Sequence, residues 1–168
     1  MSSALATTCA GLSPFVDIAP RASLVVQAKV LRHILVSGDP GRPTAMVVRV
    51  EQVFRGSTKL QEITVYGEDG MTARPDIPLF PVGSHWLFPL VQDWLPMEVN
   101  HKKTDFALVR CSVGGLVVLG DQLYGMIDGP YNSIHPVKDI PALLKRPPSP
   151  YWFRIEPQQK STPRKGKP

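Results

Sequence analysis

SLVVQAKVLRHIL, residues 23–35, decides the fold together with AMVVRVEQVF, residues 45–54. Apolar residues recur at every second position in both stretches, which is typical of β-strands with one buried face. The connection between them, SGDPGRP, carries the Gly and Pro residues of a turn. The pattern therefore predicts two long paired strands. One face of the second strand is predicted to carry Met46, Val48, Val50 and Phe54, and the other face Arg49 and Glu51.

Further strands are predicted downstream of this pair. They lie at 62–66 (EITVY), 85–91 (HWLFPLV), 106–119 (a fifth strand, or a hairpin broken at Gly114 and Gly115) and 123–127. Pro89 predicts an edge position, a bulge or an early stop in its strand. Residues 137–145 are the one helix candidate, with Pro141 near its start.

Five or six strands with Gly-rich bends predict an all-β protein. Its expected form is a small five-stranded barrel, closed or partly open, of the oligonucleotide- and oligosaccharide-binding (OB) type, with a short C-terminal helix. Closure removes most of the exposed strand edges that such apolar strands otherwise leave.

The chain has 168 residues and a formal net charge of +5, which is unevenly placed. Residues 146–168 contain six of the 19 basic residues and one of the 14 acidic residues. The chain before this segment therefore has 13 basic and 13 acidic residues. A fold that binds nucleic acid usually carries its basic stripe on the fold itself. We therefore expect no specific nucleic-acid partner. No stretch approaches the roughly 18–20 consecutive apolar residues that span a membrane, so no transmembrane segment is expected.

The composition divides the chain into three parts. Residues 1–8 are a predicted disordered N-terminus, 9–145 the barrel domain, and 146–168 a basic, Pro-rich disordered tail. The tail is interrupted by three aromatic residues that are candidates to dock on the barrel: Tyr151, Trp152 and Phe153.

The N-terminal residues SALA (3–6) have the small-x-small ending of a secretory cleavage site, although no apolar segment precedes them in this chain. We therefore expect an exported, periplasmic or secreted protein. The alternative is a short Ser-, Ala- and Thr-rich N-terminus on a cytoplasmic protein.

A set of segments in chain order carries a family resemblance. They are SLVVQAKVL, AMVVRVEQVFRGS, EITVYG, FPVGSHWLFPLV and LVRCSVGG. Together they resemble the bacterial members of the tissue-inhibitor-of-metalloproteinases-like (netrin-like) OB-fold group over roughly residues 9–119. Arg55 and Gly56 match the group's turn, Val-x-x-Val, then Phe or Leu, then Lys or Arg, then Gly. The aromatic strand of the group is matched by Phe80, Gly83, Trp86 and Leu87.

The resemblance implies a five-stranded barrel in an exported protein, with an N-terminal cysteine bonded to a later one. Cys9 and Cys111 match these roles. From the residues alone, a structural disulfide and two unpaired thiols both stay open. The animal inhibitors clamp the protease zinc with a cysteine at the mature N-terminus and carry several disulfides. Cys9 would be the third residue even after cleavage at Ala6, so metalloprotease inhibition is the weaker alternative.

No set of residues has the spacing of a catalytic or metal site, so we expect neither an enzyme nor a cofactor. The histidines have no HxH or HxxxH pair, and the cysteines lack metal-ligand spacing. Ser112 precedes Val-Gly-Gly and does not form a Gly-x-Ser-x-Gly elbow. Trp86 and Phe88 are predicted to fill the barrel, with a stacking platform for bases or sugars as the alternative.

The candidate binding residues lie in two loops, 67–78 and 92–104, which we expect to share one rim of the barrel. They are Glu68, Asp69, Arg74, Trp94 and His101. The resulting hypothesis is a non-catalytic, exported domain that contacts a protein through these loops. The alternative is an OB-type oligonucleotide-binding module assisted by the basic tail.

Overall fold

The computed structural model describes residues 9, 11–35, 41–70, 72–92 and 101–147, and it is built mainly of strands. The strands are β1 (Leu24–Ile34), β2 (Ala45–Arg55), β3 (Glu62–Tyr66), β4 (His85–Val91), β5 (Phe106–Leu108), β6 (Leu116–Leu119), β7 (Gln122–Gly125) and β8 (Ser133–Pro136). The helices are short: α1 (Phe15–Ile18), α2 (Ile140–Leu143) and three 3-10 turns at Ala19–Arg21, Ile77–Leu79 and Val137–Asp139. The predicted all-β class and the short helix near the C-terminus are confirmed.

Five strands close into a barrel in the order β1-β2-β3-β5-β4, with β4 pairing back onto β1. The pairs are antiparallel except for β3 and β5, which run parallel through Val65 opposite Phe106. β1 is long enough to pair with β2 on one edge and with β4 on the other, where Ala28 lies opposite Trp86. The predicted five-stranded barrel is therefore confirmed.

β2 does not keep one set of side chains on one face along its length. Its register with β1 shifts at three places. At one of them no β1 residue lies opposite Glu51, because Gln27 lies opposite Gln52 and the next residue, Ala28, lies opposite Val50. A bulge of one residue moves the following side chains to the opposite face. Phe54 consequently packs outside the barrel, although Met46 and Val48 point into it. The prediction that Phe54 shares their face was wrong.

The barrel core consists of alternate residues of the five strands together with the 3-10 turn before β4. Its largest fully buried members include Leu24, Met46, Ile77, Phe80 and Phe88. Gly56 closes the β2–β3 turn at a φ of +75°, and a Cβ there would collide with the carbonyl oxygen of Ser23. The turn therefore requires glycine.

β6, β7 and β8 extend the sheet beyond the barrel from the edge of β4. β6 pairs with β4 through Leu87 opposite Leu116, and β5 pairs with the same edge from Leu90 onward. Residues 106–119 thus form two strands that both pair with β4, and the predicted hairpin was wrong. Pro89 lies between these two pairings, so β4 continues to Val91 rather than stopping there.

A second core lies outside the barrel wall, where helices and the sheet extension cover β1 and β4. It includes Phe15 and Val16 from α1, Leu116 and Leu123 from the extension, and Ile140 and Leu143 from α2. Backbone hydrogen bonds join α1 to the segment after β7, from Phe15 N–H to Met126 at 2.8 Å and from Val16 N–H to Ile127 at 3.0 Å. The sequence pattern predicted neither α1 nor β8.

The helices of the described residues are all too short to cross a lipid bilayer.

Candidate interaction site beside the disulfide

The loop after β3 is organised by its own acidic side chains. Glu68 accepts hydrogen bonds from the backbone N–H of Asp69 (3.1 Å), Gly70 (2.7 Å) and Arg74 (3.1 Å). Asp69 accepts from both the N–H and the hydroxyl of Thr72, each at 2.8 Å. Carboxylates that bind several N–H donors hold a loop in one conformation. Three of the predicted binding residues, Glu68, Asp69 and Arg74, are therefore brought together, and two of them shape the loop.

Arg74 lies inside this loop and not on its surface. Its side chain is 1% exposed, lies 3.7 Å from the Asp69 carboxylate and donates to the Thr72 hydroxyl at 3.2 Å. Burial lowers the pKa of Arg74, the nearby Arg110 lowers it further, and Asp69 and Glu68 act in the opposite direction. A guanidinium stays charged despite such shifts. Arg74 thus stabilises the loop through buried contacts with Asp69 and Thr72. That it contacts a partner stays a prediction.

A disulfide joins Cys9 to Cys111, with their Cα atoms 5.4 Å apart. The same place is held by hydrogen bonds from Cys111 N–H to the Ala73 carbonyl (2.8 Å) and from Ser13 N–H to the Cys111 carbonyl (3.0 Å). The disulfide therefore gathers three segments: the chain before α1, the loop after β3 and the loop between β5 and β6. The cysteine pairing that the resemblance implied is confirmed.

An open groove of about 410 Å³ lies between these three segments, and we call it the disulfide groove. Its apolar walls are Cys9, Leu12, Ala73, Pro75, Leu79 and Val113, and its polar lining is Arg74, Asp76 and Ser112. Leu12 and Leu79 are 44% and 62% exposed. A concave apolar surface with a few fixed polar groups is the usual form of a binding site.

The rim of the groove carries a bidentate ion pair. Arg42, in the connection between β1 and β2, donates to the two carboxylate oxygens of Asp76 at 3.1 and 2.6 Å. Both side chains are partly exposed, so the pair contributes little to stability. It does fix the orientation of Asp76 at the mouth of the groove.

The second of the two loops predicted to share one rim is described only at its two ends, residues 92 and 101–104. β3 and β5 run parallel with Val65 opposite Phe106, so the chain that follows β3 and the chain that leads into β5 extend in opposite directions from this pair. His101, which is exposed, belongs to the segment before β5. The expectation of one shared rim stays a prediction, because residues 93–100 of the second loop lie outside the described residues. Trp94 lies outside the described residues.

The strand aromatics fill the barrel, as predicted. Phe88 is fully buried, and Trp86 is partly buried against the same core. The Phe80 ring lies 4.8 Å from that of Trp86 and 5.4 Å from that of Phe88, both edge-to-face. The Trp86 indole N–H donates to the Ser84 hydroxyl at 2.7 Å, which satisfies its polar atom.

The sequence pattern missed the groove itself. Leu12, Leu79 and Val113 come from three separate segments without strand or helix periodicity, so nothing in the sequence marks them as neighbours. Only the disulfide hypothesis could have suggested that residues near Cys9 and Cys111 meet.

Within the described part of the chain, no three His, Cys, Asp or Glu side chains are placed to hold a metal ion. Comparison of the chain with protein-family models, with curated proteins and with solved structures finds no match.

Proposed function

We propose that this protein is a non-catalytic, exported domain of the netrin-like OB type that binds a protein partner through the disulfide groove. The observation that carries the proposal is an apolar groove whose walls are held in place by a disulfide and by the loop after β3. Hydrogen bonds from backbone N–H groups to Glu68 fix the conformation of this loop. Fixed walls reduce the entropy lost on binding. An apolar groove of this kind accommodates an apolar side chain of a partner better than a charged polymer.

The strand topology supports an OB-type assignment. β1, β2 and β3 follow one another, and β4 returns to lie beside β1, which is a Greek-key arrangement. OB barrels are five-stranded Greek-key barrels. The netrin-like resemblance is supported by the cysteine pair, since the group joins an N-terminal cysteine to a later one, as Cys9 and Cys111 are joined.

Export is supported by the same disulfide. Disulfides form and persist in oxidising compartments and are rare in the cytosol. The SALA segment lies outside the described residues, so the cysteine pair is the structural argument for an extracytoplasmic location.

The proposed function is tested by placing a photo-reactive amino acid at Leu79 in the groove wall and illuminating cells that naturally produce the protein. We expect a discrete cross-linked protein adduct. The matched control is Leu60, which is also exposed but lies in the turn between β2 and β3. Leu12→Asp, in the groove wall formed by the segment before α1, should abolish the adduct at Leu79. The same adducts at both positions, or none at Leu79, would contradict the proposal.

The oligonucleotide-binding alternative makes a separate prediction. The basic tail, whose Arg146 side chain already pairs with Asp128, would attract nucleic acid without specificity and with steep salt dependence. We expect binding of single-stranded DNA to disappear when residues 146–168 are deleted. Binding that persists at 0.2 M salt after this deletion would favour an oligonucleotide-binding barrel instead.

A further inference from the structure

The sheet extension carries on one face a row of apolar side chains that is partly buried in its middle and exposed at Leu119 and Ile134. Val117, Tyr124 and Ile134 lie directly opposite one another on β6, β7 and β8. Residues opposite one another on neighbouring strands point to the same face of a sheet. Leu119 lies on this face two residues beyond Val117. We call these four residues the apolar row.

The two faces of the extension differ sharply in burial. Val118 and Leu123 point to the other face and are buried in the second core. On the side of the apolar row, Leu119 is 60% and Ile134 is 61% exposed. An exposed cluster of large apolar side chains on one sheet face is a recognised mark of an interaction surface.

The described chain ends beside β8, the outermost strand of this face. Arg146 donates to Asp128 at 3.1 Å. Asp128 in turn accepts from the Ser133 hydroxyl at 3.2 Å and lies 3.4 Å from His135, both on β8. Ser133 and His135 point to the face opposite the apolar row, so these contacts place the chain at the edge of the sheet, on the second-core side of β8, just before Pro147.

The aromatic residues of the tail are within reach of the apolar row. Four residue steps separate Pro147 from Tyr151, which span at most about 14 Å. To reach Ile134 the segment must pass around β8 from the other face, which requires about 5 Å sideways, the spacing of strands, and roughly 10 Å across the sheet, the spacing of packed layers. Each aromatic side chain can bury roughly 150–250 Å² of surface.

We propose that the aromatic segment Tyr151, Trp152 and Phe153 of the same chain binds to the apolar row. A short tether gives the segment an effective concentration of about 1 mM at this face. The attached segment therefore has an advantage over a free peptide or a second copy of the chain.

Limited proteolysis with chymotrypsin, which cleaves after aromatic residues, tests the contact on the full chain. Mass spectrometry measures the rate of cleavage after Tyr151, Trp152 and Phe153. Cleavage follows the population of the undocked state when docking is fast. We expect Ile134→Asp to accelerate cleavage about tenfold, which corresponds to about 1.4 kcal/mol of lost docking free energy.

Leu60→Asp is the matched control, because Leu60 is an exposed leucine on the turn between β2 and β3. It should leave the cleavage rate unchanged. If Ile134→Asp lowers the amount of folded protein, Leu119→Asp on β6 provides the same comparison. Equal rates in the wild-type protein and in both row variants would overturn the proposal. Protection that increases with protein concentration would also overturn it, since the occupant would then be a second copy.

Discussion

The two cores of this protein are built in different ways. The barrel core takes its residues from β1 to β5 and the short segment before β4, and the strands enclose it by pairing in a ring. The second core combines α1 near the start of the described chain with α2 near its end, across β6 and β7. The first core therefore depends on strand alternation, and the second depends on contacts between distant segments.

The cores meet at β1 and β4, which are buried on both faces. On β1, Val26 points into the barrel and Val25 into the second core. On β4, Phe88 points into the barrel and Leu87 into the second core. Shared strands couple the two cores, so we expect them to unfold together, as small single domains usually do.

The largest expected effect is on the barrel core. Phe88→Ala removes a fully buried ring that contacts the ring of Phe80. We expect the free energy of unfolding to fall by about 3–5 kcal/mol, the usual cost of such a cavity. Urea denaturation measures this change, with Leu60→Ala as the surface control expected to lie within about 0.5 kcal/mol of wild type. A loss below 1 kcal/mol for Phe88→Ala would mean that the barrel core is not the main source of stability.

A large-to-small substitution in the second core tests whether the two cores unfold together. Leu123→Ala removes a fully buried side chain between β7 and the helices, and we expect a loss of about 2–4 kcal/mol. Unfolding followed by tryptophan fluorescence and by circular dichroism should still give one coincident transition. Two separate transitions, with the barrel signal persisting to higher urea, would show that the cores are independent.

Removal of the disulfide tests how the N-terminal segment is attached. The Cys9→Ser, Cys111→Ser double variant loses a cross-link between residues 102 apart in sequence. We expect a loss of about 2–4 kcal/mol, largely because the unfolded chain is less constrained. Amide hydrogen exchange, measured as rates relative to global unfolding, should keep β1 among the slowest segments. Chemical reduction of the wild-type protein should lower stability by a similar amount. Selective loss of protection in β1 would contradict this account.

The smallest effect concerns Asp128, which ties β8 to the end of α2. Burial alone would raise its pKa, but hydrogen bonds from Arg146 and Ser133 and the nearby His135 lower the pKa overall. Because the pKa is lower in the folded chain, ionised Asp128 stabilises the fold above about pH 4. This contribution disappears as the pH falls through the folded-state pKa.

Asp128 is partly exposed, so solvent screening keeps its contribution below about 1 kcal/mol. Thermal unfolding between pH 2.5 and 6 should therefore show a slightly shallower loss of stability in Asp128→Asn than in wild type. Asp121→Asn, in the exposed turn between β6 and β7, is the control. Identical pH profiles for wild type and Asp128→Asn would show that the ion pair of Asp128 with Arg146 does not stabilise the fold.

The barrel was predictable because its strands carry their own pattern. β2 and β3 begin where alternation begins, at Ala45 and Glu62, and the turn at Gly56 has the residue that its backbone requires. Phe54 was not predictable, because a one-residue bulge leaves no mark in an alternating sequence. The loop at Glu68 and Asp69 was predicted from its Gly and Pro residues and its lack of alternation, but its internal hydrogen bonds were not.

The sequence by itself determined the strand-rich class, the first long pair of strands and the candidate cysteine pair, because these depend on local alternation and on residue chemistry. Tertiary structure alone decided which strands close the ring. It also decided that Leu12, Leu79 and Val113 form one groove. These features depend on contacts between segments far apart in the chain, whose free energy is not encoded in any local periodicity.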